Sequence, residues 1–132
     1  FDRGVEDGLT DALREEGIGS IVFCPLAQGQ LTDKYLDAVP ADSRAADENS
    51  PFLNAEGVQK NLAKIKALND IATARGQSLA QMALAWVLRD TVVTSALIGA
   101  SRPQQILDNI AALEAAPLSS EELKAIDQAC RL

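Results

Sequence analysis

Apolar residues recur along the chain in two rhythms, one helical and one extended. Leu9, Ala12 and Leu13 share a helical face while Arg14, Glu15 and Glu16 turn away, and Gly17 stands where a left-handed cap is needed, so the pattern predicts a helix over about 5–16. Residues 18–23 form a short β-rich run closed by Cys24 and Pro25; proline removes a ladder donor, so a strand ends there. From Leu26 to about Glu56, Gly, Asp, Pro, Ser and Asn break every period, predicting a long loop with room for one helical turn. Val58, Leu62, Ile65, Leu68 and Ala72 then repeat at three and four residues, with Lys60, Lys64 and Lys66 on the wet side and Gly76 beyond. Ser78 and Gln81 have capping-box spacing ahead of Met82, Ala83, Trp86 and Val87, predicting a more buried helix to about Arg89. Residues 92–98 are apolar and β-branched, between Asp90 and Gly99, and read as a second strand. Ser101 and Pro103 open another helix, with Ile106, Ile110 and Leu113 expected inward, and Ser119 to Glu122 cap a last one through Leu123 and Ile126.

Strands separated by helical crossovers pair in parallel, and both runs read as buried on both faces. Two strands alone cannot supply such burial, so each is expected to need neighbours outside this chain. The pattern fits the end of a larger (β/α)8 barrel: such a barrel takes about 250 residues, and this chain has 132. A small, self-contained, mostly helical interaction module is the competing architecture. No charged-then-apolar leader opens the chain, and it starts at Phe1, so its beginning reads as trimmed.

Composition narrows the chemistry. There is no histidine and Tyr35 is the one tyrosine, so Ser-His-Asp, Cys-His and histidine-bearing metal sites are impossible within these residues. Cys24 and Cys130 make no CxxC pair and are expected as reduced thiols of a cytoplasmic protein, Cys24 as a small buried hydrophobe. Twelve Lys and Arg against nineteen Asp and Glu leave a net charge of −7, which argues against a nucleic-acid partner. No apolar run approaches the roughly 20 residues of a bilayer helix, so no membrane partner is expected.

Ligands of parallel α/β folds sit at the C-terminal ends of the strands, which directs attention to two loops. The first runs from Cys24 to Tyr35, with Gly29 permitting close backbone approach and Lys34 able to neutralise a phosphate; Arg44 adds a second cation. By local chemistry alone, a solvated polar loop is the plainer reading. The second runs from Leu97 to Asn109, where a strand ends in Gly99 and a helix opens at once, so free N–H groups, the helix dipole, Ser101 and Arg102 converge on one spot fit for a phosphate. There, anion binding and simple helix initiation stand level. Gly17 and Gly19 form half of a GxGxxG, but precede a strand, so the dinucleotide fingerprint fails and they read as cap and spacing. The neighbouring acidic pairs, Asp47 with Glu48 and Glu121 with Glu122, read as solvated, and Trp86 with Met82 as core.

Taken in order, Phe23 to Gly29, Leu31 to Tyr35, Ser43 with Arg44, Gln77 to Trp86, Leu97 to Gln105, and Asp108 with Asn109 resemble the C-terminal part of an aldo-keto reductase. The resemblance is nearest to the bacterial glyceraldehyde-3-phosphate reductase-like branch that includes potassium-channel β subunits. It implies a (β/α)8 barrel with these strands as the seventh and eighth, and NADPH bound in extended form without a Rossmann domain. It assigns cofactor contacts to Cys24, Pro25, Leu26, Ala27, Gln28 and Gly29, with Lys34 and Arg44 near the phosphates. Gly99, Ser101, Arg102 and Gln105 would hold the 2′-phosphate side, with Asp108 and Asn109 at the adenine. Elsewhere in the superfamily the Gln105 position is often arginine and the Asp108 position glutamate, which softens the expected 2′-phosphate selectivity. The family's Asp, Tyr, Lys and His catalytic set belongs to earlier strands and is not among these residues. The expectations are therefore the cofactor half of a carbonyl reductase, inactive alone, or a non-catalytic NADP-binding subunit. A small-molecule carbonyl substrate and a homo-oligomer are the partners implied.

Overall fold

A computed structural model describes all of residues 1–132. Its regular elements are α1 (Leu9–Glu15), β1 (Ser20–Phe23), α2 (Ala55–Ala74), α3 (Leu79–Val87), β2 (Val93–Leu97), α4 (Pro103–Ile110) and α5 (Ser120–Ala129), with short 3-10 turns between them. The core lies between helices: Ile65, Leu68 and Ala72 of α2 meet Leu79, Met82 and Ala83 of α3 and Ile126 and Ala129 of α5, with Leu31 from the long loop closing the cluster. Enclosing a side chain such as Ile65 or Leu79 contributes roughly 1.5–3 kcal/mol each, which makes this cluster the main stabilising element. The helix ends are satisfied as the sequence pattern requires. Asn54 accepts from Gly57 N at 2.8 Å, and Ser78 with Gln81 and Ser119 with Glu122 form reciprocal capping boxes. No helix is long and apolar enough to cross a membrane.

β1 and β2 pair in parallel, Ile21 opposite Ser95, Val22 opposite Ala96 and Phe23 opposite Leu97, with an irregularity after Ser20. Gly19 permits the approach just before it, since a Cβ there would stand 2.0 Å from Thr94 Oγ1. Because alternate residues face opposite ways, Val22 and Ala96 share the half-buried face, while Ile21 (70% exposed), Phe23 (75%) and Leu97 (62%) line an open one. Burial on both faces, expected from composition, is therefore not what the chain achieves. The second face and both outer edges have no neighbours within it.

Three further expectations need correction. The single helix over 5–16 is broken at Gly8, whose φ of 88° ends a 3-10 turn and starts α1, and α1 buries no residue. In α4, Ile106, Ile110 and the following Leu113 are exposed, and the buried positions are Asn109 and Ala112. Its apolar stripe is real but unpartnered. The long loop is more ordered than its composition suggests, with 3-10 turns at Ala27–Gly29, Asp33–Tyr35 and Arg44–Ala46 and its own small core of Tyr35, Ala45, Leu53 and Val58.

The N-terminal segment is clasped to the helical layer. Trp86, half-buried and packed against the helical core that contains Met82, also meets two guanidinium groups, Arg89 at 3.6 Å and Arg3 at 5.1 Å from its ring centre. Glu6 joins them, accepting from Arg3 Nε at 2.6 Å and Arg89 Nη2 at 2.5 Å, and Arg3 also reaches Asp127 of α5. Burial alone would raise the Glu6 carboxyl, but the hydrogen bonds from Arg89 and Arg3 outweigh it and hold the group below its ordinary range. At the opposite side Arg75, nearly buried, pairs with Glu122 and donates to the Ala116 carbonyl, joining α2 to the start of α5.

Candidate functional site

Parallel pairing brings the two loops singled out by the sequence to one place. Phe23 and Leu97 are partners in register, so the chain leaves both strands side by side at the same end of the sheet.

The loop after β1 turns sharply at once. Cys24, Ala27 and Gln28 all have positive φ (52°, 48° and 59°), as does Gly29 at 93°. A non-glycine residue there costs on the order of 1–2 kcal/mol, so three in five positions must be held by their surroundings. Pro25 is buried, and Leu26 and Ala27 pack on the helical core. Gln28 braces the turn from outside: its Nε2 donates to Cys24 Sγ at 3.3 Å, and its Oε1 accepts from Arg44 Nη1 at 2.5 Å. Cys24 is exposed rather than a buried hydrophobe. Lys34 lies over the Tyr35 ring at 5.9 Å, and Thr32 caps that turn by accepting from Lys34 N.

The turn after β2 leads directly into α4, with Pro103 at its first position. Three donors converge here on a single atom: Ser101 N at 2.8 Å, Ser101 Oγ at 3.2 Å and Arg102 N at 3.2 Å all reach Gln105 Oε1. One amide oxygen thus sits where the helix start offers its N–H groups, an arrangement that suits an oxygen of an anion equally well. Asp108 is fixed within α4 by Gln104 Nε2 at 2.8 Å, and Asn109 is buried.

Of the twelve cations, Arg3, Arg14, Lys60, Arg75 and Arg89 make ion pairs with carboxylates. Lys34, Arg44 and Arg102 of the two loops do not, and neither do Lys64, Lys66, Lys124 and Arg131 elsewhere on the surface; Arg44 is held by the neutral amide of Gln28. Of the expected residues, Cys24 and Arg44 are both hydrogen-bonded to Gln28, and Ser101 and Arg102 both to Gln105. No side-chain hydrogen bond joins the two sets. Two surface hollows are present, one of about 480 Å³ around Ala41 to Asn49 that includes Arg44, and one of about 520 Å³ around Arg75, Gln81 and Glu122. Beside Arg44, Ser43, which the sequence pattern singled out without a site role, is buried and its Oγ lacks a partner, as does the hydroxyl of Tyr35. A serine before an arginine in a polar loop carries no local sign of burial, so only the tertiary structure exposes it.

Comparison with known proteins places these features in a family. The aldo/keto reductase family model matches residues 1–131. The chain is 47% identical over 126 residues to the L-glyceraldehyde 3-phosphate reductase of Escherichia coli K12, covering 93% of this chain and 36% of that protein. A probable voltage-gated potassium channel subunit beta from Oryza sativa is 42% identical over 109 residues, covering 81% of this chain and 33% of that one. The chain therefore spans about a third of the length of these relatives. Among solved structures, the glycerol dehydrogenase AKR11B4 of Gluconobacter oxydans superposes with a TM-score of 0.79 at 26% identity, over 98% of this chain and 39% of that one. The holo form of AKR11C1 from Bacillus halodurans superposes with a TM-score of 0.66 at 27% identity, over 97% and 38%. By sequence along nearly its whole length and by the course of its backbone, the chain belongs to the aldo/keto reductase family.

Proposed function

We propose that this chain is the C-terminal, cofactor-binding portion of an NADPH-dependent aldehyde or ketone reductase of the (β/α)8 class, β1 and β2 being its last two strands. The observation that carries the reading is the sheet end itself: two loops leave paired strands side by side, and in the second of them three donors already converge on one oxygen. The residues fit a dinucleotide phosphate in charge and in donor supply. Arg44 and Lys34 would hold the pyrophosphate, with Cys24 to Gly29 forming the wall beside it. Ser101, Arg102 and the N–H groups opening α4 would hold the 2′-phosphate as Gln105 Oε1 gives way, and Asp108 and Asn109 would border the adenine. When bound, the nucleotide supplies hydride to a carbonyl.

Proton donation lies outside these residues. Tyr35 is 1% exposed within the loop core and there is no histidine, so neither reaches a substrate from this chain. The open face of Ile21, Phe23 and Leu97 supports the barrel reading, because further strands would cover it. A non-catalytic NADP-binding subunit is the second reading, favoured by the 42% identity to the rice channel subunit; an intact Tyr and Lys pair in the residues of a longer chain would decide for the enzyme.

Fluorescence titration with NADPH and NADH tests the site. Arg102→Ala is expected to weaken NADPH by roughly tenfold, the scale of a charge-assisted hydrogen bond, and NADH by much less. Equal losses for both nucleotides would remove the 2′-phosphate assignment, and no binding of either would remove the reading. The 132 residues alone are expected to reduce no carbonyl.

A further inference from the structure

We propose that Gln81, a capping residue of α3, is also a positioning residue for the nucleotide site, acting through α4. The two ends of its amide do different work. Its Oε1 accepts from Ser78 N at 3.0 Å, completing the capping box, while its Nε2 donates to the main-chain carbonyl of Asp108 at 2.9 Å. The second bond crosses 27 residues of sequence and ties the rigid, core-packed start of α3 to the middle of α4.

α4 has little else to fix it. Its apolar side chains Ile106, Leu107 and Ile110 are exposed, and within the helix only Asn109 is buried. Asp108 is exposed and Asn109 buried, on different sides of the helix, and its first turn carries Gln105, whose Oε1 collects the Ser101 and Arg102 donors. A helix held by few buried contacts depends more heavily on each specific bond that remains. Capping alone does not need glutamine, because glutamate at this position caps equally well and favours the positive helix end. Only an amide both accepts from Ser78 N and donates to a carbonyl. The inference rests on the cofactor reading for its functional half, and on the hydrogen bonds alone for its structural half.

Gln81→Glu separates the two roles. It keeps the acceptor for Ser78 N and sets a carboxylate oxygen against the Asp108 carbonyl. Amide hydrogen exchange of the ligand-free 132-residue chain is expected to speed up across residues 103–110 while α3 stays protected, and the NADPH dissociation constant is expected to rise roughly three- to tenfold, the range for one lost hydrogen bond. Ser78→Ala, which removes the other half of the capping box and leaves the Gln81 amide in place, is expected to loosen the start of α3 and leave NADPH affinity within about twofold. Unchanged exchange in α4 of Gln81→Glu would overturn the proposal, as would faster exchange with unaltered affinity, or an equal loss of affinity in Ser78→Ala. If the parent chain binds no NADPH, the cofactor reading fails, and exchange in α4 still decides whether Gln81 holds the helix.

Discussion

Ile65 and Phe23 are both large apolar residues in regular elements, and their surroundings could hardly differ more. Ile65 is fully enclosed where α2, α3 and α5 meet, whereas Phe23 ends β1 three-quarters exposed beside Leu97. The packing of α2, α3 and α5 is complete within these residues, whereas the apolar stripe of α4 has no partner. The sheet layer has one half-buried face, one bare face and two free edges. Exposed strand edges and a contiguous apolar face are features that water-soluble folds normally cover, and the relatives are nearly three times as long as the stretch matched here. The difference separates what the chain needs in order to fold from the surface it leaves open to neighbours outside these residues.

The largest expected effect breaks that contrast directly. Ile65→Ala should lower unfolding free energy by roughly 3–4 kcal/mol, because it empties a closed site, whereas Phe23→Ala should shift it by less than about 0.5 kcal/mol. Urea denaturation of the 132-residue chain measures both. A comparable loss at the two positions would mean that the strand face is covered in solution. In a longer chain carrying the preceding barrel strands, Phe23→Ala is expected to become as costly as Ile65→Ala.

The same contrast explains which features were legible in the sequence. Helix boundaries rest on local chemistry: Ser78, Ser119, Pro103 and Gly76 mark α3, α5, α4 and the end of α2 because caps and left-handed turns are decided by neighbouring residues. The 3.6-residue period found the buried face of α2 for the same reason. Burial of β1 and β2, and the inward face of α4, misled because an apolar stripe reports what a surface requires, not whether its partner lies in the chain. The loop core around Tyr35 was invisible, since its four members span 24 residues with no period. At the site, residue types and strand-end placement were readable. The bond from Arg44 to Gln28 and the convergence on Gln105 were not, being tertiary and side-chain geometry respectively.

A smaller effect sharpens the account of the closed side. The Glu6 carboxyl is held low by Arg89 and Arg3, and Glu122 is held low first by the Ser119 N–H and then by Arg75. Groups whose folded pKa lies below the unfolded one stabilise at pH above the unfolded value, here the ordinary 4.5 of glutamate, and that contribution drains away as pH falls through the folded value. Stability is therefore expected to be flat with pH just above 5 and to decline below about 4.5. Glu6→Gln should cost on the order of 1 kcal/mol at pH 7, and the gap to the parent chain should narrow steadily as pH falls below the ordinary 4.5 of glutamate. A gap that does not change with pH would show that Glu6 acts through packing rather than charge.

The smallest effect has the opposite sign, and it falls at the strand end. Cys24 is exposed, sits at φ 52° and accepts only a weak bond from Gln28. Cys24→Gly removes the steric penalty of the left-handed backbone, roughly 1–2 kcal/mol, and restores unfolded-state entropy of about 1 kcal/mol, so a net gain of between zero and about 1 kcal/mol is expected. Every truncation in the helical layer should lose stability, while this one gains it. A loop that is held in a costly shape, on a chain that would be more stable without it, is shaped by something other than folding. If Cys24→Gly stabilises the chain yet weakens NADPH, the strain is serving the nucleotide site. If it destabilises by more than about 0.5 kcal/mol, the Cys24 side chain packs on the loop as the helical residues pack on each other, and the two ends of the molecule are built alike after all.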